Sequence, residues 1–300
     1  MLKIAYHPIY RHPLPLGHRF PMGKYELLQQ QLLYEGTCKE YNFFEPEVPN
    51  NKYFFLTHDP EYVSDLMNLT LDPKMARRIG FPLSEILIER EMIIAGGTME
   101  ASVFALENGI SMNIAGGTHH AYTNKGEGFC MLNDQAIGTR YLQEKGLVQK
   151  ILIVDLDVHQ GNGTAEIFQN DDSVFTFSMH GKKNYPFQKE QSDLDIPLES
   201  GTQDEEYLQI LQETLPKLIA EQKPDFIYYL SGVDIIESDK LGKLSLTIEG
   251  CKERDRFVLE TCKNSNISVM CSMGGGYSPD IKTIVDAHAN TFRLAQEIFF

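Results

Sequence analysis

Two aspartates and a histidine alternate at the end of an apolar run, in the stretch ILIVDLDVHQGNG from Ile151 to Gly163. Its first four residues predict a fully buried strand of a parallel sheet. Because side chains alternate along an extended backbone, Asp155, Asp157 and His159 point to the same side. In open α/β sheets, ligands bind beyond the carboxyl ends of the strands. We therefore interpret this stretch as a functional site rather than as a solvated strand end.

Three other predicted strands also end in polar or glycine-rich sequence. The four strand ends read GGTHH (116–120), DLDVH (155–159), SGVD (231–234) and MGGGY (273–277). Parallel strands bring their carboxyl ends to one edge, so residues far apart in sequence meet there. Asp157, His159 and Asp234 would supply two oxygen ligands and one nitrogen ligand with room for water. That donor set indicates an open, catalytic zinc-type site rather than a closed structural one.

The remaining polar residues at this edge suit hydrolysis of a carbonyl compound. A bound zinc ion polarises a carbonyl and lowers the pKa of water from 15.7 towards about 7. His119 and His120 offer general acid and base groups, and Asp155 and Asn162 are candidate partners that would fix their tautomers. Tyr277 can donate to a developing oxyanion. The residues predict metal-assisted attack of water on a carbonyl.

Alternating strands and helices predict the scaffold for these residues. From residue 109 onward the pattern indicates βα repeats, and we predict one α/β domain over residues 1–300, an open, mostly parallel sheet with helices on both faces. Predicted strands are Lys3–Tyr6, Phe54–His58 (an edge strand), Ile110–Ala115, Ile151–Val154, Val174–Phe177, Phe226–Leu230 and Ile267–Cys271. Predicted helices are Lys24–Tyr34, Leu83–Glu107, Asn133–Lys145, Asp204–Gln222, Arg254–Cys262 and Ser278–Glu297. A loop is expected from Gly181 to Gly201.

Two local patterns refine this scaffold. Asp59 before Pro60 is typical of a helix N-cap, which makes neighbouring His58 a structural residue. Gly96-Gly97 inside a helical pattern indicates a close contact with another element or a break in the helix.

Composition narrows the class of protein. The net charge of −15 argues against direct nucleic-acid binding and mildly favours cationic or neutral substrates. No apolar run reaches membrane-spanning length, and the N-terminus lacks the apolar core of a signal peptide. The five cysteines form no CxxC pair, which is typical of reduced thiols. We expect a cytoplasmic enzyme, and the sequence leaves its oligomeric state open.

Six ordered motifs resemble those of zinc-dependent histone deacetylases of the arginase/deacetylase superfamily. They are GGTHHA (116–121), GFC (128–130), DLDVHQGNGT (155–164), SMH (178–180), SGVD (231–234) and GGGY (274–277). The N-terminal HPLPLGHRFPMGKY and the QGN triplet are most similar to the class IV branch and its bacterial relatives. The resemblance covers nearly the whole chain and implies the deacetylase fold. It also implies removal of an acyl group from lysine or a related amine.

Carried over by position, the resemblance assigns a role to each site residue. Asp157, His159 and Asp234 would bind zinc, and His120 would be the main proton shuttle with His119 as its electrostatic partner. Asp155 would orient His119, Asn162 would orient His120, and Tyr277 would bind the oxyanion. The substrate tunnel would be lined by Gly128, Phe129 and Gly275. A potassium ion would be held by Asp155, Asp157, Ser178 and main-chain oxygens of His159 and Met179.

The chain departs from this pattern at two points. Class I relatives have aspartate where this chain has Asn162, so the carboxylate behind His120 is missing and His120 should be less basic. The second aromatic wall of the tunnel has no clear match, although Tyr185 or Phe187 could supply it.

Alternative functions remain open at this point. A binuclear arginase-like hydrolase would need further acids where the chain has Gly161, Gly232 and Ile236. A non-catalytic acyl-lysine binding module would be expected to lose Tyr277 or a metal ligand. Acetylpolyamines and small acylated metabolites present the same amide as acyl-lysine.

Several reactive residues outside the motifs are interpreted as structural. They are His7, His12, His18, His180 and His288, the last in a DxH-like pair with Asp286 expected on a solvated helix face. Cys130 lies near the predicted pocket but has no base beside it in sequence, which makes it an improbable nucleophile.

The preferred length of the acyl group is also open. Thr118 is small where class I relatives tend to have a bulkier residue, which would leave space for an acyl group longer than acetyl. Each added methylene buried in an apolar pocket could contribute about 0.8 kcal/mol. Met112, Met131 or Leu132 could instead fill that space, because methionine adapts to gaps.

Overall fold

The computed structural model describes all 300 residues, and its centre is one eight-stranded sheet. The strands are β1 (Lys3–Ala5), β2 (Phe43–Phe44), β3 (Ile110–Asn113), β4 (Ile151–Asp155), β5 (Val174–Gly181), β6 (Leu194–Leu198), β7 (Phe226–Leu230) and β8 (Ser268–Ser272). Their order is β2-β1-β3-β8-β7-β4-β5-β6, and every neighbouring pair is parallel. The predicted α/β class is confirmed, with a sheet that is wholly rather than mostly parallel.

Ten α-helices and two short 3₁₀ helices connect the strands. The α-helices are α1 (Lys24–Tyr34), α2 (Lys52–Phe55), α3 (Pro60–Met67), α4 (Pro73–Ile79), α5 (Glu85–Asn108), α6 (Asp134–Glu144), α7 (Asn162–Phe168), α8 (Asp204–Gln222), α9 (Ile248–Asn264) and α10 (Ile281–Phe299). The 3₁₀ helices span Pro8–Tyr10 and Glu40–Asn42. None of the helices combines the length and apolar character that crossing a membrane requires.

Helices cover both faces of the sheet, because successive apolar side chains of a strand point to opposite faces and both sets are buried. On β4, Ile151 and Ile153 pack with residues of α5, α6 and α7, whereas Leu152 and Val154 join the larger cluster that includes α8, α9 and α10. All four side chains are at most 1% exposed. The apolar run of β4 is therefore continuous because both of its faces are buried.

The structure explains the two local patterns in the sequence, which are Asp59 before Pro60 and the paired glycines Gly96 and Gly97. The Asp59 side chain accepts a hydrogen bond from the backbone N–H of Glu61, which makes it the N-cap of α3. Helix α5 continues without a break through its paired glycines. A Cβ at Gly96 would lie 2.2 Å from the carbonyl oxygen of Glu47, and one at Gly97 would lie 2.6 Å from the hydroxyl of Tyr10. The glycines allow close packing and do not end the helix.

Two predictions of secondary structure are wrong. The Phe54–His58 edge strand is absent, since Phe54 belongs to α2 and His58 is held in a turn by the carbonyl of Tyr122 and the N–H of Asn133. The expected loop from Gly181 to Gly201 contains β6. This strand forms one edge of the sheet and is mostly half-exposed, so it lacks the apolar run that marks the buried strands.

Candidate active site

The three predicted metal ligands meet at the carboxyl ends of β4 and β7. Asp157, His159 and Asp234 are all buried, and one potential ligand atom from each lies within 4.8 Å of the others. His159 Nδ1 lies 3.0 Å from Asp157 Oδ1 and 3.1 Å from Asp234 Oδ2. Backbone N–H groups hold the carboxylates in place, with Val158 donating to Asp234 and Gly275 donating to Asp157. The loops that follow β4 and β8 therefore hold these two carboxylates through their backbone N–H groups.

The donor atoms fit a divalent cation. Asp234 Oδ2 is buried and accepts no hydrogen bond, which leaves an acceptor directed at the centre of the group. Burial and then the neighbouring Asp157 raise the pKa of Asp234 to about 7. Burial lowers the pKa of His159, but Asp157 and Asp234 outweigh this and raise it to about 10. In the absence of a metal, protons must supply the positive charge that the carboxylates require.

Three glycines lie against the buried carboxylates of the site, and no larger residue would fit at their positions. A Cβ at Gly161 would lie 2.2 Å from Asp155 Oδ2, and one at Gly232 would lie 2.3 Å from Asp157 Oδ2. At Gly275 a Cβ would lie 1.9 Å from Asp234 Oδ2. Additional acids at positions 161 and 232, which the binuclear alternative needs, would collide with the carboxylates already there.

The two adjacent histidines have different partners. His119 Nδ1 lies 2.7 Å from Asp155 Oδ2, and His120 Nδ1 lies 2.6 Å from Asn162 Oδ1. Burial lowers the pKa of His119, but Asp155 more than restores it, so the pKa is raised. Burial and then the charges of His119 and His159 hold the pKa of His120 well below its ordinary value. The carboxylate partner thus favours the protonated form of His119, whereas burial and the neighbouring charges favour the neutral form of His120.

A carboxylate lies behind Asn162, on the side away from His120. Class I relatives have the acid at the position of Asn162 itself, so here an amide separates the acid from the histidine. The amide nitrogen of Asn162 donates to Glu127 Oε1 at 2.7 Å and to the hydroxyl of Tyr122 at 2.9 Å. Both donors are used, so the amide oxygen faces His120 and the amide cannot turn over without losing these bonds. The sequence analysis missed Glu127. Its only signal there was an acid inside the glycine turn GEGFC.

The tunnel residues enclose two cavities that meet at the metal ligands. Both are lined by His120, Gly128, Phe129, His159 and Tyr277. The outer cavity has a volume of about 300 Å³ and opens to solvent, and the inner cavity has a volume of about 40 Å³. A substrate entering through the outer cavity reaches His159 before it reaches the inner one.

Aromatic side chains form the walls of the outer cavity. The ring centroid of Phe129 lies 6.1 Å from that of Tyr277, and the ring of Tyr185 packs edge-on against His120 at 5.0 Å. Tyr185 thus occupies the position of the second wall, with the exposed Phe187 beside it at the mouth. A Cβ at Gly128 would lie 2.6 Å from the His120 ring, so this wall requires glycine.

The residues predicted to bind potassium are adjacent across β4 and β5. Asp155 pairs with Ser178 in the sheet register, and Ser178 Oγ lies 2.9 Å from His180 Nδ1. Met179 follows on the same strand and is fully buried. Whether potassium binds here stays a prediction.

Arg254 and Lys24, two of the buried cations near the site, were not singled out from the sequence. Arg254 of α9 is fully buried, pairs with Asp255, and donates to the main-chain oxygens of Leu156 and Gly232. Lys24 donates to the carbonyl of Gly274 at 3.1 Å, below the turn that carries Tyr277. Polar residues on helices look like surface residues in sequence, so only tertiary packing reveals these two.

The expectation of a solvated His288 is wrong. Helix α10 packs against α1 and α9, so His288 is 1% exposed and lies next to Gly276, while Asp286 accepts a hydrogen bond from Gln31. The DxH-like pair therefore does not converge on one point. Burial raises the pKa of the Cys130 thiol well above its ordinary value, so this cysteine is not activated as a nucleophile.

The structure superimposes on the crystal structure of the HDA15 HD domain with a TM-score of 0.80, over 96% of this chain and 89% of that one, at 19% identity. Residues 18–292 match the histone deacetylase domain family. The chain belongs to the histone deacetylase family, a family of deacetylating hydrolases.

Two relatives illustrate the range of similarity. An uncharacterised protein of Picosynechococcus is 47% identical over 296 residues, which cover 99% of each chain. Histone deacetylase 2 of Arabidopsis thaliana is 28% identical over 288 residues, covering 92% of this chain and 74% of that protein.

The geometry of the Asp/His/Asp group predicts that one zinc ion binds per chain. Zinc added to metal-free protein should raise the melting temperature, since at 100 times Kd a ligand stabilises by about 2.7 kcal/mol, and binding measured by calorimetry should saturate at one equivalent. Affinity should increase from pH 6 to pH 8, because the ligands release protons on binding. Asp234→Asn should abolish the effect and Asp286→Asn should retain it. Calorimetry showing two ions per chain would contradict the prediction.

Proposed function

We propose that this protein is a zinc-dependent deacylase that hydrolyses the amide of an acylated lysine side chain or a related amine. The observation that carries the proposal is the position of the His119–His120 pair, one ring held by Asp155 and the other by Asn162, beside the Asp/His/Asp group at the junction of the two cavities. Family membership supports deacetylation, and the structure of this chain supports the choice of residues. A cytoplasmic location stays a prediction.

The zinc ion, when bound by Asp157, His159 and Asp234, would supply Lewis acidity to the acyl carbonyl and to water. His120 is neutral at neutral pH and its Nδ1 faces Asn162, which leaves Nε2 to accept a proton from the attacking water. Asp155 holds His119 and raises its pKa, which favours the protonated imidazole next to that position. The proton taken by His120 would then pass to the departing amine.

Tyr277 is suited to donate to the carbonyl oxygen as negative charge develops on it. Burial and the carboxylates of Asp234 and Asp157 raise the pKa of its phenol well above the ordinary value, so the proton is retained. Its backbone N–H donates to Asp239 Oδ2 at 2.6 Å, and its ring lies 6.4 Å from that of His159. The phenol is therefore held at the metal side of the tunnel.

The size of the inner cavity favours a short acyl group. A single water molecule needs about 10–15 Å³, so a volume of about 40 Å³ accommodates only a few water-sized groups. Thr118 does not enlarge this space, because its hydroxyl is bonded to the carbonyl of Leu132 and to Asp134. Phe20, Tyr25 and Phe81 contribute bulk to the lining. We infer that acetyl is preferred over fatty acyl groups.

The first test is hydrolysis of a fluorogenic acetyl-lysine peptide by zinc-loaded protein. Tyr277→Phe should lower kcat by about 10²–10³, the usual effect of removing one oxyanion donor, and should leave zinc content and melting temperature unchanged. Tyr141→Phe removes a phenol of α6 far from the site and should have no effect. An unchanged kcat with a higher KM would make Tyr277 a wall of the tunnel. Binding without hydrolysis would favour the non-catalytic alternative.

A second prediction concerns Glu127 as a positioning residue. In Glu127→Gln the new amide can donate to Asn162 as well as accept from it, so the Asn162 amide should no longer be held in one orientation. We expect a loss of about tenfold in kcat with KM unchanged, at the lower end of effects for such outer partners. The control is Glu237→Gln, which removes an exposed carboxylate. Equal kcat values for both variants would contradict the role.

A third prediction concerns acyl length. On one peptide sequence, kcat/KM should be highest for acetyl and should fall steeply once the acyl chain exceeds the inner cavity. Ile94→Ala removes a buried side chain from the cavity lining and should shift the optimum towards longer chains. Octanoyl-lysine hydrolysed as well as acetyl-lysine by the unmodified protein would show that the inner cavity opens during binding.

A further inference from the structure

The mouth of the outer cavity is basic, although the chain as a whole is acidic. Four cationic side chains line this cavity and no aspartate or glutamate does, whereas the whole chain has 42 acidic residues against 27 lysines and arginines. We call the four the rim cations: Arg19, Arg78, Lys183 and Lys243. All four are exposed, and none forms a salt bridge within the chain. Their charges are available to a ligand.

The fold holds two of the rim cations beside the Phe129 wall of the tunnel. The guanidinium of Arg19 lies 4.9 Å from the centre of the Phe129 ring. The carbonyl of Arg78, in the last turn of α4, accepts a hydrogen bond from the N–H of Gly128 at 3.0 Å. Both positions are thus tied directly to residues that line the tunnel.

The other two rim cations belong to the loops beside Tyr185. Lys183 precedes Asn184 and Tyr185 in sequence, and Lys243 Nζ donates to the carbonyl of Lys183 at 3.1 Å. The side chain of Asn184 donates to the carbonyl of Leu241 at 2.7 Å, which joins the two loops. Positive charge is therefore placed around the entrance by four separate segments of the chain.

The geometry points to acidic peptide segments as the substrate: an acyl-lysine with aspartate or glutamate on both sides of it in sequence. This inference rests on the proposed function and names its substrate class. A side chain that enters the tunnel leaves its neighbours in the peptide at the rim, within the Debye length of about 8 Å at physiological salt. Cations contributed by four separate segments around the entrance can meet anions on both sides of the lysine. A free amino acid carries a single carboxylate and cannot present anions on both sides.

The rim cations favour an anionic substrate, which is the opposite of what the net charge of the chain favours. The net charge of −15 favours cationic or neutral substrates at long range. A polyamine, however, would bring its remaining positive charges to the rim cations after its acylated end had entered the tunnel, and like charges repel. Local charge at the entrance decides between substrates that present the same amide.

The inference is tested with three acetyl-lysine peptides that differ only in flanking residues, which are acidic, neutral or basic. At low salt, kcat/KM of the zinc-loaded protein should be roughly tenfold higher for the acidic than for the neutral peptide, and lowest for the basic one. The difference should lie in KM and disappear at high salt. Arg78→Gln combined with Lys183→Gln should reduce it, whereas Lys217→Gln, an exposed lysine of α8, should not.

Dissociation constants of the same peptides for Tyr277→Phe protein separate this inference from the proposed function. The charge order should persist in Kd when hydrolysis is lost. Equal Kd values for the three peptides would overturn the inference even if all are hydrolysed. Free Nε-acetyl-lysine hydrolysed with the kcat/KM of the acidic peptide would also overturn it, in favour of a small substrate. Hydrolysis of no peptide, with the charge order intact in Kd, would overturn the proposed function alone.

Discussion

The structure depends on the burial of three carboxylates at one edge of the sheet. Asp155, Asp157 and Asp234 are each at most 3% exposed, and moving such charges out of water costs several kcal/mol for each ion. The surrounding residues are those that make this tolerable. The carboxylates raise the pKa of His119 and of His159, which favours their protonated forms, and backbone N–H groups of the strand-end loops donate to the carboxylate oxygens. A divalent ion held by Asp157, His159 and Asp234 would replace these protons as the positive charge beside the carboxylates.

The buried cations Arg254 and Lys24 also offset the negative charge of these carboxylates. Arg254 does not contact the carboxylates, but it donates hydrogen bonds to main-chain oxygens of the loops that carry them. It therefore places positive charge near the strand ends and also fixes the position of these loops. Its pairing with Asp255, which also binds Tyr229 and Thr291, connects the loops to β7 and α10. The positions of the ligands are thereby coupled to the packing of the helices on one face of the sheet.

The sequence was most informative where a physical requirement leaves little freedom. A strand buried on both faces must be apolar, which located β4, β7 and β8, and glycine beside a buried carboxylate marked the loops of the site. The strand ends offered Asp155 and Asn162 as partners for the two histidines, and the family resemblance assigned Asp155 to His119 and Asn162 to His120. Strand β6 could not be found, because an edge strand with proline and aspartate lacks an apolar run.

Residues whose role depends on distant partners were out of reach in the same way. Glu127 was one acid in a glycine turn until tertiary structure placed it against Asn162, and Arg254 and Lys24 looked like ordinary residues of exposed helices. The rim cations are spread over more than 220 positions of sequence, from Arg19 to Lys243, in a chain whose overall charge has the opposite sign. Only the fold collects them around one entrance.

The order of strands has a consequence for synthesis of the protein. Strand β8 is the last in the chain, yet it lies in the middle of the sheet, between β3 and β7. A nascent chain that has not yet released β8 from the ribosome cannot join the two halves of the sheet, and the loop with Gly275 and Tyr277 follows later still. Incomplete chains would therefore expose the unpaired backbone edges of β3 and β7, and they would be candidates for chaperone binding rather than for partial activity.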